Sequence, residues 1–181
     1  MKNIIYLLFL ICFSVTAQTK YITKTGTINF EASVPAFEEV KASHNLVTAI
    51  INTDNGEFAA LALVKGFRFK NALMEEHFNE NYAESDKYPK ATFKGKIIGF
   101  SVEKLKNNEN SFYANGELSF HGKTVAIEKT PLKVELNGNE ITITGNFLAN
   151  ATDFDIEIPK IVQNKIAKDV EVSFNFKMKQ K

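Results

Sequence analysis

The chain has 181 residues with 22 Lys and Arg against 21 Asp and Glu, and so even a balance leaves no electrostatic footprint for nucleic acid or for an anionic lipid surface. Its single cysteine stands at position 12, so everything beyond it lacks disulfides, a thiol nucleophile and a thiolate metal site. With 16 Phe, 5 Tyr and no Trp, whatever core forms is unusually rich in phenyl rings.

The N-terminal stretch MKNIIYLLFLICFSVTAQ combines Lys2, an apolar run from Ile4 to Val15 and small residues at Val15 and Ala17. It reads as a secretory signal peptide, residues 1–17, cut after Ala17, and the run is too short for a membrane span. Acylation at Cys12 is the alternative, but bulky Ile11 precedes it and the apolar run continues through Phe13 and Val15. The expected product, residues 18–181, is a single domain in the periplasm or outside the cell. Without disulfides it must be stabilised by its own core.

Period-two alternation then dominates, in short segments bounded by turn signals. Ile28, Phe30, Ala32 and Val34 alternate with polar residues. LVTAIIN (46–52) and EFAALALV (57–64) flank a turn ending in Asn55-Gly56 and read as a hairpin. Strands follow over 91–97 and 112–120. Segments 124–136 and 140–149 flank Asn137-Gly138-Asn139, and the last strand carries Val170, Val172, Phe174, Phe176 and Met178. About eight strands joined by short antiparallel turns suggest a barrel or a sandwich, and the barrel abolishes exposed edges. Gly95, Gly116 and Gly145 fall on the apolar face, where a missing side chain bends a strand or makes room inside. Two segments break the pattern: Ala72–Ala83, with Leu73, Met74, His77, Phe78 and Asn81 at helical spacing, and 159–168, which reads as a turn of helix after Pro159. Both are expected to cover a barrel mouth. The whole is an all-β, eight-stranded antiparallel barrel with one or two short helices at its mouth.

Constellations with chemistry in them are sparse. His44, His77 and His121 lie far apart and lack the paired spacing of zinc sites. No nucleophile motif and no phosphate loop occurs. Glu75, Glu76, Glu80, Glu84 and Asp86 read as the wet face of a short helix rather than as paired catalytic carboxylates. The one arginine, Arg68, stands between Phe67 and Phe69 and is either a solvent-facing strand charge or a cation facing a ligand head group. No enzyme activity, cofactor or metal is expected. From periodicity alone the barrel is equally compatible with a packed or a hollow interior.

The run from GFRF through ALMEEHFNENYAESDKYPKATFKG, then NGELSFHGKT and ATDFDIEIP, resembles the YceI family of polyisoprenoid-binding, lipocalin-like bacterial proteins, and the SDKYP form resembles its Bacteroidetes-type branch. The most specific parts are His77-Phe78, Tyr88-Pro89-Lys90-Ala91-Thr92-Phe93, Gly116-Glu117-Leu118 with His121-Gly122, and Asp153-Phe154-Asp155-Ile156. The resemblance implies a lipocalin-like barrel that holds a long-chain isoprenoid, a polyprenol or isoprenoid quinone, or a similar lipid in the periplasm. It also implies transient contact with a membrane or a membrane redox protein. The apolar lining expected on this reading is Phe30, Ala32, Phe58, Phe93, Phe112, Leu118, Ile143, Phe147, Phe174 and Phe176, with Leu73, Met74, His77 and Phe78 as a lid; Arg68 as a head-group contact rests on its charge alone, since no family head-group site is matched residue by residue. The alternative is a filled barrel acting as an interaction or stress-response module without a small ligand. Oligomeric state is left open, a dimer included.

Overall fold

The computed structural model describes residues 19–35 and 37–181; the expected signal peptide, its cut after Ala17 and Cys12 lie outside the described residues. Eight long strands carry the fold: β1 (Lys20–Ser33), β2 (Lys41–Asn52) and β3 (Glu57–Leu63), then, after a two-residue strand β4 (Arg68–Phe69), β5 (Lys90–Ile98), β6 (Ser111–Phe120), β7 (Lys123–Asn137), β8 (Glu140–Asn150) and β9 (Ile166–Gln180). Each pairs antiparallel with the next around the ring β1-β2-β3-β5-β6-β7-β8-β9, and β9 returns to β1. The sheet is therefore a closed eight-stranded barrel with no unpaired edge among these strands.

The strands start and stop where the turn residues dictate. Gly56 (φ 75°) ends the β2–β3 turn, and His121 (φ 49°) with Gly122 (φ 75°) makes the tight β6–β7 turn in a left-handed conformation. β1 begins at Lys20, well before the alternation at Thr27 would place it. The pairing with β2 slips on either side of Gly26, and these irregularities scramble the period-two signal while the strand continues. At the other end of β2, β3 has moved away and β4 takes its place beside Ala42 and Ser43.

Because neighbouring strands are antiparallel, the barrel has one end formed by the starts of β1, β3, β6 and β8 and another formed by the starts of β2, β5, β7 and β9. The first end is solid. Ile51, Ile97, Val134, Ile141, Ile143 and Met178 have no exposed surface. A short helix that the alternation did not foreshadow, α2 (Val102–Lys106), seals it. Ser101 caps that helix by accepting from Lys104 N–H at 3.2 Å, and Leu105 is its buried residue. Phe100 packs on Phe112 beside it, with ring centroids 5.9 Å apart.

The second end is covered by the expected helix, α1 (Ala72–His77), which runs on into a wider π turn, Phe78–Tyr82. The expected helix after Pro159 does not form. Val162 N–H donates to Pro159 O and Lys165 N–H to Val162 O, giving successive turns, and from Ile166 the chain is strand β9. Ladder bonds to β1 outcompete an isolated helical turn there.

Candidate functional site

Above the packed end the barrel holds a cavity of about 560 Å³, within the roughly 300–1,000 Å³ usual for small-molecule sites. Its wall is almost wholly apolar, with twelve phenylalanines and a set of small residues on β3, β5, β6 and β8 such as Ala60, Ala91, Ala114 and Ala149. Of the residues expected from the sequence to line it, Phe30, Ala32, Phe58, Phe93, Leu118, Phe147, Phe174 and Phe176 do so. Phe112 and Ile143 face inward too but lie below the cavity, in the packed end of the barrel. Alternation identifies which face of a strand looks inward; the depth along the barrel axis is set by register and by α2, neither of which alternation reports.

The inward glycines bear directly on the cavity. A Cβ on Gly95 or Gly116 would stand 2.8 or 2.6 Å from Phe93 Cζ, and one on Gly145 would stand 2.7 Å from Phe174 Cζ. The room that these glycines provide is thus taken up by phenyl rings lying across the barrel, which must collide with any side chain there.

The lid is positioned by three devices. Asn71 caps α1, accepting from Leu73 N–H at 2.9 Å. Glu75 accepts from Arg68 Nη1 at 2.7 Å and from Phe69 N–H at 3.1 Å, pinning the helix to β4. Phe78 inserts among Phe30, Phe67 and Phe69, with centroids 5.4, 5.9 and 5.2 Å away. Met74, His77 and Phe78 line the cavity, as does Tyr82, whereas Leu73 is 56% exposed and turns outward. The π turn accounts for Tyr82: Ala83 N–H reaches back five residues to Phe78 O at 2.8 Å, and the added residue per turn brings Tyr82 rather than Asn81 onto the inner face.

Arg68 does not line the cavity. Its flanking residues Phe67 and Phe69 both do, and strand alternation therefore sends Arg68 outside, where it donates to Glu75 and to the carbonyls of Lys65 and Phe67. That ion pair also corrects the reading of Glu75 as part of a wet helix face. Glu76 and Glu80 are exposed, but the Glu75 side chain is 27% exposed and fully engaged.

The histidines have local structural settings. Buried His44 accepts from Leu46 N–H at its Nδ1 and reaches Leu63 O with Nε2 at 3.0 Å, bridging β2 to the end of β3. Its pKa is pushed down, chiefly by burial and further by the Arg68 charge, with the bond to Leu63 opposing. His121 stands between Phe154 O (2.8 Å from Nδ1) and Glu84 Oε2 (3.0 Å from Nε2), with Tyr88 edge-on at 4.8 Å. The segments around residues 84–89, 121–122 and 153–155, scattered in sequence, therefore meet in one clasp at the open end. Glu84, His121 and Asp155 all adopt positive φ there, a conformation held only by such surroundings. Among the described residues, no three His, Cys, Asp or Glu side chains converge as a metal site would need.

Lining residues that strand-pattern reasoning missed include Phe67 and Phe69 on either side of Arg68, Phe154, and Ile156, Ile158 and Val162 of the segment before β9. The GFRF run carried a usable signal for the first two; the last three lie outside any regular element, and only the folded path of the chain brings them over the mouth.

Comparison with known proteins bears on the whole barrel. No curated protein matches the sequence. Among solved structures, a polyisoprenoid binding domain from Saccharophagus degradans superposes with a TM-score of 0.74 at 17% identity, covering 91% of this chain and 100% of its own. BcnA of Burkholderia cenocepacia gives 0.69 at 16%, covering 84% and 95%. The YceI protein of Campylobacter jejuni gives 0.61 at 13%, covering 82% and 88%. At such identities the likeness concerns the fold. The sequence itself matches the YceI-like domain model over residues 14–178, a span that reaches into all eight barrel strands, and on that ground the chain belongs to the YceI-like domain family.

Proposed function

We propose that this protein binds the apolar chain of an isoprenoid, a polyprenol or isoprenoid quinone, or of a similar amphiphilic lipid in the barrel cavity, and sequesters or carries it without transforming it. The observation that carries this reading is the cavity itself: about 560 Å³ of apolar space, reached at the end of the barrel that α1 covers. Similarity to a polyisoprenoid binding domain supports the ligand class. So does the chemistry of the wall, since removing apolar surface from water yields about 25 cal/mol per Å². A prenyl chain with several hundred Å² to bury can be held without any specific polar contact, even after the costs of association. The contacts assigned to the ligand are Phe30, Ala32, Phe58, Phe93, Leu118, Phe147, Phe174 and Phe176, with Met74, His77 and Phe78 as the movable cover.

The N-terminal sequence supports export, with residues 1–17 removed as a signal peptide and the carrier acting in the periplasm or outside the cell, in transient contact with a membrane or a membrane redox protein. The competing reading, a filled interaction module, is favoured by the packed end of the barrel and opposed by the hollow one. Native mass spectrometry of protein isolated from its own cells, followed by solvent extraction, tests the proposal. Co-purification of a prenyl lipid is expected. Protein that arrives without lipid and then fails to take up polyprenols or quinones would overturn it.

A further inference from the structure

The cavity stops part-way down the barrel, at a floor of four phenyl rings. Phe93 and Phe58 lie 5.9 Å apart between centroids, Phe58 and Phe176 likewise 5.9 Å, and Phe176 stacks on Phe174 at 5.2 Å with 18° between planes. Three of the four rings lie where a Cβ is missing, Phe93 over Gly95 and Gly116, Phe174 over Gly145 and Phe176 over Gly26, and Phe58 is held between Phe93 and Phe176. Beneath them Ile97, Ile143 and Met178 are fully buried and none borders the cavity, whose lower edge is completed by Ala114, Thr130 and Leu132. We propose that this ring floor is a length stop, which sets the ligand class to prenyl chains of which about four isoprene units are enclosed. At a liquid-like share of about 30 Å³ per water-sized group, 560 Å³ holds about nineteen methyl, methylene and methine groups, close to the twenty carbons of four units. A longer prenyl chain keeps its remaining units outside, between α1 and the segment before β9.

The inference rests on the proposed function and is separable from it. Prenols of two, three, four, five, six and nine isoprene units are titrated into the full folded protein, with affinity read by competition against a fluorescent alkyl-chain probe and stoichiometry by native mass spectrometry. The dissociation constant is expected to fall at least ~10-fold per unit up to four, since each buried methylene contributes strongly, and then to change less than ~3-fold. A steady gain through nine units would overturn the length stop while leaving lipid binding intact. Failure of every prenol to bind would overturn both. Two variants move the stop in opposite directions. Ala60→Leu adds volume to the wall just above the floor and is expected to shift the break to three units. Phe58→Ala removes a floor ring and is expected to shift it to five. A break point that stays at four in both folded variants would also overturn the proposal, and Ala60→Leu alone decides if Phe58→Ala does not fold.

Discussion

At the scale of single residues, the polar groups of this protein hold the apolar shell in shape. His44 is the clearest case, for it is 3% exposed and its two ring nitrogens bond the Leu46 N–H and the Leu63 carbonyl. In the unfolded chain it titrates near 6.5 and in the fold below that value. Between the two the unfolded state binds the extra proton, so the stability that neutral His44 contributes is complete above about pH 6.5 and is lost as the pH falls through the window below. Thermal melting of the wild type should therefore show a midpoint that drops on acidification from pH 7 towards pH 5. In His44→Leu the carbonyl of Leu63 and the N–H of Leu46 lose their partners. The variant should be less stable at neutral pH by about 1–3 kcal/mol and show a shallower acid dependence; an equally steep one would assign that dependence to other groups. Neither the burial nor the bridging was legible in Ser43-His44. Both arise because the 3-10 turn Val64–Gly66 brings the end of β3 back over β2.

Among the elements, the lid is where sequence and structure diverge most usefully. Helical spacing placed an apolar face over the mouth, and Met74, His77 and Phe78 are on it. The spacing could not register the π turn that rotates Tyr82 inward, nor the outward turn of Leu73. The charges on this element are not equivalent either. Glu80→Gln should leave stability within about 0.5 kcal/mol of wild type. Glu75→Gln weakens the tie to Arg68 and should cost up to about 1 kcal/mol. Phe78→Asp removes the ring from the Phe30, Phe67 and Phe69 cluster and should cost about 2 kcal/mol, with lower lipid occupancy. Hydrogen exchange over residues 72–83, together with occupancy by native mass spectrometry, checks the ranking. If Glu80→Gln loosened the segment as much as Phe78→Asp, aromatic packing would not be what holds the lid.

Across the whole molecule, a closed sheet is packed solid at one end and hollow at the other, and its stability should be graded accordingly. Amides around Ile51, Val134, Ile141 and Met178, in strands with fully buried side chains, should exchange only through global unfolding. Those of residues 37–40 and 156–165, which lie outside regular elements, should exchange through local opening. Peptide-resolved hydrogen exchange tests this, and uniform protection from end to end would contradict it. The asymmetry also suits a carrier, since the solid end supplies a scaffold that does not have to rearrange when the covered end admits a chain.

The number and order of the eight long strands follow from the sequence alone, because side-chain alternation and turn residues are local properties that each segment carries alone. The sequence determined the apolar character of the interior for the same reason, and the motif segments sufficed to suggest the family. Tertiary structure alone decided where the barrel is filled, since depth depends on strand register and on a five-residue helix, α2, with no strong local signal. It also decided what the inward glycines are for: the rings that occupy their space come from neighbouring strands in the pairs Phe93 with Gly116 and Phe174 with Gly145. Finally, it made the end of the lid stretch half of a clasp, because Glu84 and Tyr88 take their meaning from His121, more than thirty residues away, and a local pattern cannot report a partner at that distance.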